Sequence, residues 1–245
     1  MSEPIPVPEG EVAKRPLQFF WITDYSGSMS GKRIATLNQA IRESIPAIRK
    51  ALASHPEVEI KMRAIKFSDR ASWHVGPDSV SLDQFSWTEL DAKGVTATAQ
   101  AINLLASELS IEKIPRKGYP PVCLLISDGF CTDSEEEYDK AIQTLANLPW
   151  GKKSVRLAIG IGKAGEDYDE ESLLKFVSHR EIGVLQADTP EKLVQYIKWA
   201  SVTASVGSSQ SKSKGGQGIL DGDVNVNLPE PPADVVNISS SIDVF

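Results

Sequence analysis

Hydrophobic positions along this chain follow two rhythms that take turns. Residues 17–23, LQFFWIT, are almost continuously apolar, the pattern of a strand covered on both faces. Between Lys32 and Ala53, Ile34, Leu37, Ile41, Ile45, Ile48 and Leu52 recur at steps of three and four, which predicts an amphipathic helix that Pro46 should kink. Residues 58–64, VEIKMRA, alternate strictly, as a half-exposed strand nearer the sheet edge does. Residues 71–75, ASWHV, fit a short antiparallel edge partner. A loop over 76–95 is expected to lead into a helix from about Thr96 to Leu109.

The second half repeats the alternation. Residues 121–127, PVCLLIS, and 154–160, SVRLAIG, read as two more buried strands, and 182–186 as a last one. Helices are expected near 134–148, 170–178 and 190–203, the last opened by Thr189 and Pro190 as N-cap and first helical residue. Strands alternating with helices predict a Rossmann-like three-layer α/β/α sandwich around a mainly parallel sheet with one antiparallel edge strand. Residues 1–16 are rich in Pro and Glu and are expected to be flexible; 17–204 form the domain. From 205 to 245 the chain turns to a Gly/Ser/Lys-rich linker and a Pro-containing tail, so a cut after about Ser205 is expected to leave a folding unit.

Composition narrows the classes of partner. With 33 acidic and 26 basic residues the net charge is -7, and no long Lys/Arg run offers a track for phosphates, which argues against nucleic acid. No apolar run approaches the roughly 20 residues of a membrane span, so no membrane partner is expected. The first residues lack the basic and apolar segments of a secretory signal, and Cys123 and Cys131 suit neither a disulfide framework nor a zinc knuckle. The expected location is cytoplasmic.

Candidate chemistry gathers where predicted strands end. In an open parallel sheet, ligands bind beyond the carboxyl ends of the strands, where strand order reverses. Asp24, Ser26 and Ser28 follow the first buried strand in DYSGSMSG (24–31), and Asp128 and Gly129 follow the strand over 121–127. Thr96, in the sequence Gly94-Val95-Thr96 just before its helix, supplies a third loop. Two carboxylates and three hydroxyls are hard oxygen donors, which suit magnesium, manganese or calcium better than zinc. Each piece also has an ordinary reading: Asp24, Ser26 or Ser28 as a helix cap, and Asp128-Gly129 as a turn. Asp133, within TDSE (132–135), reads as a cap of the helix that follows.

Asp-x-Ser-x-Ser after one buried strand, a Gly-x-Thr loop, and Ile-Ser-Asp-Gly after another resemble the metal-ion-dependent adhesion site (MIDAS) of von Willebrand factor A (VWA) domains, over about residues 17–204. The run DGFCTD (128–133) and the loop SWTELDAKG (86–94) are most similar to bacterial tellurite-resistance-associated proteins of the TerY type. The resemblance implies a VWA fold and one divalent cation, Mg2+ with Mn2+ or Ca2+ as alternatives. Ser26 and Ser28 would bind it directly, Thr96 would join in the ligand-bound state, and Asp24 and Asp128 would act mostly through water. It further implies a protein partner that supplies an acidic side chain to the metal. The wider setting would be a bacterial stress or tellurite-resistance system that includes a protein kinase and a Ser/Thr phosphatase. The usual Gly-Gly-Thr is replaced here by Gly94-Val95-Thr96, and valine narrows the backbone freedom of that loop.

Other chemistries fit less well. A dehalogenase-type phosphatase needs a second Asp where Ser26 stands, and the serine-hydrolase elbow is missed because Met29 takes the nucleophile position. The run GIGKAG (160–165) matches a dinucleotide fingerprint, but the carboxylates of EDYDEE (166–171) would repel a pyrophosphate from the next helix. His55, His74 and His179 share no ligand spacing and read as surface or loop residues. The run DGDVNVN (221–227) opens like a calcium loop but has Val226 at the glycine position. With no evident general base or activated nucleophile, the expected role is a binding module and not an enzyme; the alternative is a hydrolase that uses the same cation to activate water.

Overall fold

The computed structural model describes residues 14–128, 130–210 and 226–232. Its strands are β1 (Arg15–Asp24), β2 (Val58–Phe67), β3 (Ala71–Ser81), β4 (Val122–Ser127), β5 (Val155–Ile161) and β6 (Val184–Ala187). Its helices are α1 (Lys32–Leu52), α2 (Thr98–Ala106), α3 (Glu135–Asn147), α4 (Pro149–Lys153), α5 (Glu170–Phe176) and α6 (Pro190–Gln210). The strands form one sheet in the order β3-β2-β1-β4-β5-β6, parallel except for the β2–β3 pair. This is the expected three-layer arrangement with its antiparallel edge.

Side-chain alternation along β1 explains the layers. Leu17, Phe19 and Trp21 point into a core shared with Leu37, Ile41 and Ile48 of α1 and Leu193 and Ile197 of α6. Phe20 and Ile22 point the other way, among Ile102 and Leu105 of α2, Leu145 of α3 and Phe176 of α5. Both faces are covered, so both sets of side chains must be apolar, and each fully buried Leu, Ile or Phe contributes roughly 1.5–3 kcal/mol.

Two strands differ from expectation, each for a long-range reason. Residues 58–64 lie in β2, one strand in from the edge as expected, but the strand is buried along most of its length and not half-exposed. The polar member of the alternation that should face water, Arg63, is instead buried in an ion pair with Glu108 at 2.8 Å, just past α2. The edge strand is β3, which runs on to Ser81 through a Gly76-Pro77 step that read as loop, and its pairing with β2 shifts register near Ala64. Helix α1 runs from Lys32 to Leu52 with Pro46 inside it, close to the expected span, and Ile41, Ile45 and Ile48 stay on one buried face. A missing N–H at one rung is not enough to end it.

The C-terminal side also departs from the sequence pattern. Helix α6 does not stop near 203 but reaches Gln210, and Ser205 and Ser208, which read as linker, are fully buried on one face with Ala204. Residues 226–232 return to this face. At Gly207 a Cβ would stand 2.8 Å from a Leu228 methyl and 3.1 Å from Val226, so a side chain there would force the returning segment to shift. Val226, read as a defect in a calcium loop, is a core residue. His179, read as a surface residue, is buried, with Nε2 at 2.7 Å from the Val226 carbonyl and Nδ1 at 2.8 Å from the Ser178 hydroxyl. Residues 1–13, 211–225 and 233–245, on which the flexible first segment, most of the linker and the end of the tail fall, lie outside the described residues.

Candidate metal centre

Strands β1 and β4 are neighbours at the middle of the sheet, and their chains leave toward opposite faces, β1 into α1 and β4 into α3. Their carboxyl ends therefore open a crevice at the point where strand order reverses. Asp24 ends β1, Ser26 and Ser28 enter the 3-10 turn Gly27–Met29, and Asp128 follows β4. The loop carrying Thr96 is tied to both neighbours through backbone: Gly27 N–H donates to Gly94 C=O at 2.9 Å, Lys93 N–H to Tyr25 C=O at 2.7 Å, and Thr132 N–H to Thr96 C=O at 2.9 Å.

Four of the five predicted residues lie in one connected polar array. The Ser26 and Ser28 hydroxyl oxygens are 2.9 Å apart, and Ser28 donates to Asp128 Oδ1 at 2.8 Å. Asp24 Oδ1 accepts from the Ser26 amide at 2.7 Å, and its Oδ2 accepts from the Ser127 hydroxyl at 2.6 Å. Thr96 is buried beside this array, but among the described residues its hydroxyl bonds to none of the other four. Gly94, at φ +79°, takes the left-handed position of this loop, where a Cβ would collide with the Asp69 carboxylate at 2.6 Å; Asp69 in turn accepts from the Val95 amide at 2.9 Å. The substituted valine is thus accommodated with its side chain turned to solvent, 52% exposed.

Burial sets the electrostatics. Asp24 is fully buried, and desolvation lifts its pKa to about 6 against the opposing pull of Ser127 and the Ser26 amide. Asp128 is pushed up by the same cause and held back by Arg33, which donates to Asp128 Oδ2 at 2.6 Å and to Asp167 Oδ1 at 2.7 Å. Arg33 occupies one side of the Asp128 carboxylate and leaves Oδ1 to the serine array. Among the described residues no three His, Cys, Asp or Glu side chains come together as a metal-holding group. A cation at this crevice would be held by hydroxyls and at most two carboxylates, an all-oxygen set that fits Mg2+, Mn2+ or Ca2+.

Arg33→Ala is expected to cost about 1–3 kcal/mol of stability, reduced from the value for a fully buried pair because the arginine side chain is 35% exposed. Denaturant melts should show the loss, and divalent cation should recover part of it by taking over the charge beside Asp128. An unchanged midpoint would mean that Asp128 is supported by other contacts.

Several functional neighbours carried no local signal. Ser127 reads as the last residue of a buried strand, and Arg33 lies 95 positions from the carboxylate it binds. Asp133 does not cap its own helix. Ser134 does, in a reciprocal capping box with Glu137, while Asp133 accepts from the Ala99 amide at 2.8 Å in the first turn of α2. The fingerprint-like loop after β5 is closed by its own chain: Lys163 N–H donates to Asp167 Oδ2 at 2.9 Å and Gly165 N–H to Tyr168 C=O at 2.9 Å. Amides that would cradle a pyrophosphate are thus already engaged, one by a carboxylate and one by a backbone carbonyl.

No family profile matches the chain, and no curated protein matches it. Solved structures do. A von Willebrand factor type A protein from Catenulispora acidiphila is 16% identical with a TM-score of 0.59, over 78% of this chain and 43% of that one. The ArnB paralog VWA2 from Sulfolobus acidocaldarius is 17% identical with a TM-score of 0.56, over 76% and 45%. Proximal thread matrix protein 1 from the mussel byssus, in a form described as having a zinc-occupied MIDAS motif, is 16% identical with a TM-score of 0.54, over 78% and 46%. This chain therefore has the fold of von Willebrand factor A domains, and it spans less than half the length of these three structures.

Proposed function

We propose that the chain is a von Willebrand factor A domain that binds another protein through a divalent cation held at the β1–β4 crevice. The observation that carries this reading is the joined array of Ser26, Ser28 and Asp128 over a buried Asp24, assembled from two loops at the point where strand order reverses. Ser26, Ser28 and Thr96 would hold the cation, while Asp24 and Asp128, each already accepting hydrogen bonds, would orient water around it. Magnesium is the first candidate, with manganese and calcium as alternatives. A cation ringed mainly by neutral hydroxyls stays electron-poor and attracts one more hard ligand, such as a partner's carboxylate. In this reading the domain is a scaffold and not an enzyme. Working in the cytoplasm of a bacterial stress or tellurite-resistance system, with a kinase and a Ser/Thr phosphatase among its partners, is the specific setting to test.

Magnesium should bind at one site and raise the melting temperature, because only the folded chain assembles the loops. Ser26→Ala with Ser28→Ala should abolish both the calorimetric signal and the thermal shift while the metal-free melt stays cooperative; a double variant that binds magnesium normally would remove the site. Thr96→Ala should keep most of the magnesium affinity and lose the partner, if Thr96 enters only the partner-bound arrangement. Phosphoester hydrolysis that tracks the protein and vanishes in Asp24→Ala would instead support the hydrolase reading.

A further inference from the structure

Only two large apolar side chains are strongly exposed among the described residues, Val95 at 52% and Phe130 at 49%. Single exposed apolar residues need no explanation. These two, however, sit on adjoining loops at one place. Val95 precedes Thr96, Phe130 lies two residues beyond Asp128, and the Thr132 amide ties the two loops together at the Thr96 carbonyl. On its far side Phe130 forms one wall of a cleft of about 330 Å³ that runs between the starts of α3 and α5.

The cleft is acidic. Asp133, Glu135, Asp169 and Glu171 line it against a single cation, Lys175, which is itself paired with Asp139 at 2.7 Å and lies 3.8 Å from Glu135. Asp133 and Asp169 are engaged by the amides of Ala99 and of Glu171 and Ser172. Glu135, whose side chain is 86% exposed and which shares Lys175 with the closer Asp139, and the exposed Glu171 stand at the rim, where their charge is only partly offset. Phe130 offers its ring to a positive group at the same place.

Resting on the metal-dependent reading above, we propose that the partner presents a peptide segment in which the metal-seeking acidic residue is flanked by a large apolar residue and, a few positions away, by Arg or Lys. The apolar residue packs between Val95 and Phe130. The basic residue enters the cleft, where its charge answers the surplus of carboxylates and its stem covers the Phe130 ring. Such a surface selects among acidic segments that the cation alone would treat alike.

A displayed random-peptide library, selected on the full chain in magnesium, tests this. Selected peptides should share an Asp or Glu with an apolar neighbour and a nearby Arg or Lys, and EDTA should release them. By fluorescence anisotropy, Val95→Ser with Phe130→Ser should weaken a selected peptide at least tenfold, and Glu135→Gln with Glu171→Gln should weaken it and flatten its salt dependence. Magnesium affinity by calorimetry should be unchanged in both. Peptides selected only for acidity, no selected peptides at all, or equal binding by both variants would overturn the proposal while leaving the cation site standing. Failure of the unsubstituted chain to bind magnesium would overturn the metal reading and this inference with it.

Discussion

In buffer without divalent cation at about pH 7.5, Asp24→Asn should melt higher than the unsubstituted protein, and added magnesium should reverse that order. Burial holds the Asp24 pKa near 6, above the ordinary 3.8. The folded chain therefore binds this proton more tightly than the unfolded chain. The associated stability is complete below about pH 4 and is lost as pH rises through about 6, leaving a cost on the order of 3 kcal/mol at neutral pH. Asparagine keeps an acceptor for the Ser26 amide and can donate to Ser127 in place of accepting from it, without the buried charge. A cation reverses the balance because it favours the ionised carboxylate, so the thermal shift from magnesium should also grow between about pH 5 and pH 7.5. Thermal melts across that range, with and without magnesium, decide the matter. A variant that is less stable at every pH even without cation would show that the carboxylate serves folding and not a ligand.

The second large effect concerns the C-terminal side. Cutting after Ser205 removes the end of α6, the Ser208 hydroxyl bound to the Pro120 carbonyl, and the Val226 carbonyl bound to His179. Losing a fully buried valine and two buried hydrogen-bond partners amounts to about 3–5 kcal/mol, or a fall in melting temperature of about 10 °C for a domain of this size. Gly207→Val in the full chain should reproduce part of the loss by displacing Val226 and Leu228 without removing them. A truncated chain that melts with the full one would show that the returning segment adds nothing to stability.

Much of the architecture was legible because the central strands are covered on both faces. Residues 17–23 and 121–127 had to be nearly all apolar, and small oxygen side chains at their ends stood out against them. What stayed hidden depended on partners far along the chain. Arg63 looked like a solvent-facing residue because nothing nearby announces Glu108. The stretch from Ser205 looked like a linker because glycine and serine serve equally well in a flexible chain and in a face where two segments pack closely. Asp133 carried the right chemistry for a cap, but the helix it caps begins 35 residues earlier, at Thr98. At the site itself, the residue types were readable, whereas Arg33 and Ser127, which fix how the two carboxylates are held, were visible only in three dimensions.

The same sheet also bears on how copies of the chain avoid one another. Its two free borders are β3 and the four-residue β6. An eleven-residue border strand would ordinarily invite another chain to add to it, and strand addition of this kind seeds aggregation. In β3, Pro77 offers no amide hydrogen, Asp78 places a charge beside it, and the shifted pairing with β2 breaks the regular ladder. Replacing Pro77 and Asp78 with valine and threonine should leave the crevice intact and yet shorten the time to visible precipitation on warming, since the change would restore a continuous row of unpaired donors and acceptors.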